Sequence, residues 1–103
     1  MTRRGNRAYV GATLVRQARL IRPDGTVCFL REYRGAASRG FRSDFERLPT
    51  RWLVLTYPGG REETWTYSGA RLPAADKNWS ESLAAIKEAG GSVAEETPPV
   101  QPR

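Results

Sequence analysis

The segment Leu14-Val15-Arg16-Gln17-Ala18-Arg19-Leu20-Ile21-Arg22 runs into Pro23-Asp24-Gly25, and Thr26-Val27-Cys28-Phe29-Leu30-Arg31-Glu32-Tyr33 follows. How this stretch is read decides the fold. Val10, Ala12, Leu14, Ala18 and Leu20 are apolar at even positions, with Arg16 the exception, and a period of two marks a strand. Leu14, Ala18 and Ile21 also share one helical face, so the next residues arbitrate. Pro23-Asp24-Gly25 fits a type I turn with glycine at the left-handed position, the three-residue connection of a β-hairpin. Thr26 to Tyr33 is rich in β-forming residues and supplies the second strand.

With that loop, Arg22 sits opposite Thr26, Leu20 opposite Cys28, Ala18 opposite Leu30 and Arg16 opposite Glu32. The one charge that interrupts the apolar face therefore meets an opposite charge across the ladder, a stabilising cross-strand pair. On the other face Arg19 meets Phe29, Gln17 meets Arg31 and Val15 meets Tyr33.

Working outward, residues 35–50 form a connection rich in Gly, Ser and Arg. Within it Ser43-Asp44-Phe45-Glu46 has capping-box spacing, which allows one helical turn ending at Pro49. Arg51 to Tyr57 and Arg61 to Tyr67 are a second hairpin around Pro58-Gly59-Gly60. A three-residue loop collects Leu53, Leu55, Tyr57, Trp65 and Tyr67 on one face and Trp52, Val54, Thr56, Thr64 and Thr66 on the other. A one-residue slip would scatter the large residues over both faces. Asn78 with Glu81 forms an N-cap and capping box, Trp79, Leu83 and Ile86 make a helical stripe, and Gly90-Gly91 ends the helix. Trp65 and Trp79 read as core, where sheet meets helix.

The sequence thus predicts an α+β fold: a four-stranded antiparallel sheet of two hairpins followed by one C-terminal helix. Residues 1–7 read as a flexible basic arm, 8–91 as a single domain and 92–103, which hold Glu95-Glu96-Thr97-Pro98-Pro99, as a disordered tail with no apolar face. At 103 residues there is room for one core only. The absence of an apolar leader or spanning run points to a cytoplasmic protein.

The formal net charge is +6, with Lys77 and Lys87 the only lysines. Residues 1–51 hold twelve arginines against Asp24, Glu32, Asp44 and Glu46, whereas residues 52–103 hold five basic and seven acidic groups. A GC-rich genome explains arginine in place of lysine but not its concentration in one half. That concentration predicts a directional electrostatic surface.

Catalysis has little to work with. There is no histidine and Cys28 is the only cysteine, so zinc sites and Ser-His or Cys-His chemistry lack their residues. Cys28, between Val27 and Phe29, reads as a buried small hydrophobe. Glu62 and Glu63 are adjacent on a strand and point to opposite faces, which excludes a simple carboxylate pair. No glycine loop carries a phosphate-binding signature. The expectation is a non-enzyme without cofactor or metal.

Arginines interleaved with aromatics on a sheet suit single-stranded nucleic acid, because bases stack on rings while guanidinium groups take phosphates. The candidate contacts are Arg19, Phe29, Arg31 and Tyr33 on the hairpin, joined by Arg34, Arg39 and Arg42 of the connection. Arg3, Arg4 and Arg7 of the arm add charge. Trp52, among threonines, is a further candidate, with cover by a loop as the competing reading. Equally, Phe29 and Tyr33 can pack beneath a loop or against a second protomer. In element order, and in the run Asp24-Gly25-Thr26-Val27 through Leu30-Arg31-Glu32-Tyr33, the chain resembles dimeric single-strand-binding coactivator domains, a fold-level analogy from which the connection over 35–50 departs. The expected function is a small module binding single-stranded DNA or RNA. The rival is a protein-binding adaptor or inhibitor of the kind carried by phages and mobile elements, and a homodimer stays open under either.

Overall fold

The computed structural model describes residues 11–39 and 46–96, and side chains are described for these except 37–39 and 46–48. Five strands, β1 (Thr13–Ile21), β2 (Val27–Arg39), β3 (Glu46–Thr56), β4 (Glu62–Ser68) and β5 (Ser92–Glu96), form one antiparallel sheet in the order β4-β3-β2-β1-β5. One helix, α1 (Ala74–Glu88), lies between β4 and β5 in the chain. The α+β class and the single C-terminal helix follow the sequence reading. The strand count does not.

Next to their turns both hairpins have the anticipated register. Gly25 N–H donates to Arg22 O at 2.8 Å and Gly60 N–H to Tyr57 O at 3.0 Å. Gly25 and Gly60 have φ of +90° and +96°, a left-handed conformation that glycine adopts without steric cost. From these turns Arg16↔Glu32, Ala18↔Leu30, Leu20↔Cys28 and Leu53↔Trp65 pair as expected. The expected Val15↔Tyr33 pair is wrong. The register shifts between Leu14 and Arg16, and Leu14 faces Tyr33 instead. This bulge adds one residue to β1 and reverses which residues face which side beyond it. Ala12 thereby reaches the side of the sheet that carries Tyr33 and Trp52, and it packs against the cluster of Trp52 and Val54.

The connection expected over 35–50 is instead mostly ladder. β2 and β3 pair continuously from Phe29↔Thr56 to Arg39↔Glu46. Glu46 through Pro49 belong to β3 rather than to a helical turn, and residues 43–45 lie outside the described residues. Small residues at Gly35, Ala36, Ala37 and Ser38 hid the strand because they carry no hydrophobic period. Pro49 fits because it lies beyond the last β3–β4 pair, Thr50↔Ser68, where β3 has no neighbour on that side needing its N–H.

The helix begins at Ala74 after Pro73, four residues before the expected cap at Asn78. Asn78 lies inside it and donates from Nδ2 to the Tyr67 hydroxyl at 2.6 Å. Proline with a fixed φ and an acidic first-turn Asp76 are both favourable at a helix start. The C-terminal end agrees with expectation. Gly90 N–H bonds Lys87 O and Gly91 N–H bonds Ile86 O, the two hydrogen bonds of a Schellman motif, with Gly90 at φ +100°.

Ser92 to Glu96 are the largest correction. They form β5 on the outer side of β1, from Ile21↔Ser92 to Gln17↔Glu96, not a disordered tail. Residues 97–103 and the arm 1–7 lie outside the described residues. Since every neighbouring pair is antiparallel, β4 and β5 run in the same direction at opposite edges, and α1 carries the chain across one face between them. Entry to β5 depends on Gly91, where a Cβ would stand 2.2 Å from Ile21 O.

The core lies under α1, where Trp79 and Leu83 meet Ala18, Leu20, Cys28, Leu30 and Leu53, and Ile86 and Val93 close the flank. Trp79 and Cys28 are buried as anticipated. Trp65 shares this face but stays 36% exposed on the edge strand β4, so it is not a core residue. No helix among the described residues is long and apolar enough to cross a membrane.

Because Val93 flanks the core and β5 covers the edge of β1, truncation after Gly91 should be destabilising. A loss of at least ~2 kcal/mol, about 10 °C in a domain of this size, is expected in thermal denaturation. An unchanged midpoint would mean that β5 contributes nothing to the fold.

Candidate functional site

The sheet has two unlike faces. α1 covers one, and among the described residues no helix covers the other, which is called the open face here. Its central row, read across the strands, is Glu62, Thr56, Phe29, Arg19 and Ala94, and the next row is Thr64, Val54, Arg31, Gln17 and Glu96. Period-two alternation brings Phe29 and Arg31 to the same side of β2, and the Arg31 guanidinium carbon lies 5.0 Å from the Phe29 ring centroid. That is a cation–π contact.

The arginines are held in place. Arg31 Nε donates to Gln17 Oε1 at 2.5 Å, and Gln17 Nε2 donates to Glu96 Oε1 at 2.6 Å. Arg19 Nε lies 3.4 Å from Glu96 Oε2. The strand that the sequence did not reveal thus brings a carboxylate to the edge of the expected arginine surface. In these two rows Arg19 and Arg31 are balanced by Glu62 and Glu96.

Of the candidate contacts, Arg19, Phe29, Arg31 and Tyr33 share the open face. Trp52 is on it too but only 3% exposed, packed with Val54 against Ala12 and Tyr33, so it is not a surface contact. The bulge at Val15 accounts for this, since it turns Ala12 toward the ring. Arg34 is in β2 and bonds Glu32 on the helix-side face, away from Phe29. Arg39 is also in β2 rather than in a loop, and Arg42 lies outside the described residues, as do Arg3, Arg4 and Arg7.

A second charged cluster sits beside the core on the helix side. The side chain of Glu32 has no exposed surface. It accepts from Arg16 Nε at 2.7 Å, Arg34 Nε at 2.8 Å and Arg51 Nε at 2.5 Å. Asp76, in the first turn of α1, accepts from Arg51 Nη2 at 2.6 Å and Arg16 Nη2 at 2.8 Å. The Arg16 guanidinium also lies 4.2 Å from the Trp79 ring centroid. Sequence reasoning found the Arg16–Glu32 pair but missed Arg34, Arg51 and Asp76. Arg34 and Arg51 face each other only once β2 and β3 are paired, and such a like-charge pair is destabilising without a carboxylate beside it.

Burial pushes the Glu32 carboxyl up, and hydrogen bonds from Arg51, Arg34 and Arg16 outweigh it and hold the group below its ordinary value. Arg51 keeps Asp76 low by hydrogen bonding, and Arg51 itself is pushed up by Glu32 and Asp76. Each of the three arginines has a carboxylate partner within the fold, so the cluster reads as structural.

Among the described residues no group of three or more Cys, Asp or Glu is placed to hold a metal ion. Comparisons with protein families, curated proteins and solved structures gave no match to this chain.

Glu32→Ala would leave three arginines facing an empty buried site and should cost about 3–5 kcal/mol. The pH dependence has a definite sign. The folded carboxyl titrates below its ordinary 4.5, so its contribution is complete above that value and is lost as pH falls through the lowered one. Glu32→Gln should therefore flatten the acid limb of a Tm-against-pH curve. An unchanged acid limb would show that Glu32 is not the group responsible.

Proposed function

We propose that this chain is a non-catalytic binding module that takes single-stranded nucleic acid across its open sheet face. The observation that supports this most is Arg31 lying over Phe29 with Arg19 directly opposite that ring on β1, a ring and two cations on a face that no helix covers among the described residues. A base stacking on Phe29 would gain on the order of 1–3 kcal/mol, and Arg19 and Arg31 would take the flanking phosphates. The excess of arginine in residues 1–51 supports the reading from a second direction, since phosphate neutralisation supplies most of the affinity of such modules.

Glu96 acts against this binding in the free protein. It holds Gln17 and Arg19, and a phosphate must compete with it for the same donors. This separates nucleic acid from the rival class. The balance of Arg19 and Arg31 against Glu62 and Glu96 favours a protein partner as the second reading, an adaptor or inhibitor contact in which Glu96 would itself be used.

The test is a mobility-shift series with single-stranded DNA, single-stranded RNA and duplex at two salt concentrations. Arg19→Ala with Arg31→Ala should weaken binding to all sequences and flatten the salt slope by about one unit per lost phosphate contact. Phe29→Ala should weaken single-strand binding with little change in slope. Glu96→Gln should strengthen binding. Wild-type protein that binds none of these at low salt would exclude the nucleic-acid reading, and the protein-partner reading would replace it.

A further inference from the structure

The sheet has two edges among the described residues, and they are built differently. β5 is a guarded edge: five residues with Glu95 and Glu96 at its end, followed in sequence by Thr97-Pro98-Pro99. Charges and proline are the usual means of preventing a further strand from adding. β4 lacks them over most of its length. Its seven residues, Glu62-Glu63-Thr64-Trp65-Thr66-Tyr67-Ser68, pair with β3 without a register shift and carry charge only at the first two positions. At its centre Trp65 is 36% exposed, one of two exposed large hydrophobics among the described residues. Thr, Trp and Tyr are strong β-formers, so the outer edge of β4 is straight, uncharged at its middle and centred on an exposed aromatic ring.

We propose that the outer edge of β4 pairs with β4 of a second copy of this chain, antiparallel about a two-fold axis at Trp65. The strand is complementary to itself in that register. Trp65 meets its own counterpart, Thr64 meets Thr66, Glu63 meets Tyr67 and Glu62 meets Ser68, so no like charges face each other. Aromatic, threonine and opposite-polarity pairs are those that stabilise antiparallel ladders. A slip of two residues in either direction would take Trp65 off its counterpart, and a one-residue slip would set Trp65 against a threonine whose side chain points to the other face. Such pairing is isologous and closed, so it yields a dimer and not a fibre. It leaves both open faces on one side of a continuous sheet, and it does not depend on what those faces bind.

The experiment is sedimentation equilibrium of the full chain over a wide concentration range, with engineered cysteines as a second readout. The wild type should show a concentration-dependent mass rising to twice 11.5 kDa. Trp65→Lys places like charges across the axis and should remain at the single-chain mass with an unchanged far-UV spectrum. If that variant fails to fold, cross-linking decides. Residues directly opposed on antiparallel strands have Cα atoms about 4.5–5.5 Å apart, within disulfide range, so Trp65→Cys should oxidise to a covalent dimer. Glu62→Cys should not, because the two-fold separates its copies by about 20 Å along the strands. Cys28 is buried and does not compete. A wild type that stays at the single-chain mass throughout, or equal cross-linking from both cysteine positions, would overturn the proposal.

Discussion

Three strands of this fold meet at one carboxylate. Glu32 of β2 binds Arg16 of β1, Arg51 of β3 and its own strand neighbour Arg34. Asp76 then extends the connection to α1 by sharing Arg16 and Arg51. A buried carboxylate with no cation would carry a desolvation cost of several kcal/mol, and three arginines without it would repel one another beside the core. Each partner is therefore tolerable only in the presence of the others. That mutual requirement fixes the start of α1 at the end of the sheet where Arg16 and Arg51 lie, and it fixes which face α1 covers. It also ties up three arginines that composition alone would assign to a surface. The positive charge of this chain is thus partly structural.

Covering one face leaves the other available, and the candidate site follows from that asymmetry. The route of α1 from β4 at one edge to β5 at the other keeps the helix on the core side along its whole length. The open face consequently keeps Phe29, Arg31 and Arg19 together in adjoining rows. β5 then adjusts this face by adding Glu96, which orders Gln17 and Arg19 and lowers the local positive charge. Fold and site are coupled through β5: the strand that shields the edge of the core also tunes the proposed binding surface.

Much of this was legible in the sequence. Pro23-Asp24-Gly25 set the first hairpin by turn chemistry, and the meeting of Arg16 with Glu32 gave an independent check on its register. Apolar alternation set the second hairpin. The parts that were not legible share a physical cause, in that tertiary contacts decided them. Leu14 and Val15 are both apolar and β-compatible, so nothing local marks Val15 as a bulge, and the burial of Trp52 by Ala12 depends on that bulge. Val93 alone could not make Ser92–Glu96 read as a strand, yet pairing with β1 makes it one. Asn78 is a good cap locally, but the chain becomes helical earlier, at Ala74, where Asp76 meets Arg51 and Arg16. Residues 35–38 are too small to show a period and are held in β2 by their partners in β3.

Under the proposed function the two faces divide the work, the helix side for stability and the open side for binding. A heteronuclear NMR titration of the intact chain with a short single-stranded oligonucleotide at low salt tests it most directly. Backbone and arginine side-chain resonances should shift at Arg19, Phe29, Arg31 and Thr56, while those of Arg16, Glu32, Arg51 and Asp76 stay in place. Shifts confined to α1 and the Glu32 cluster, with the open face silent, would contradict the claim.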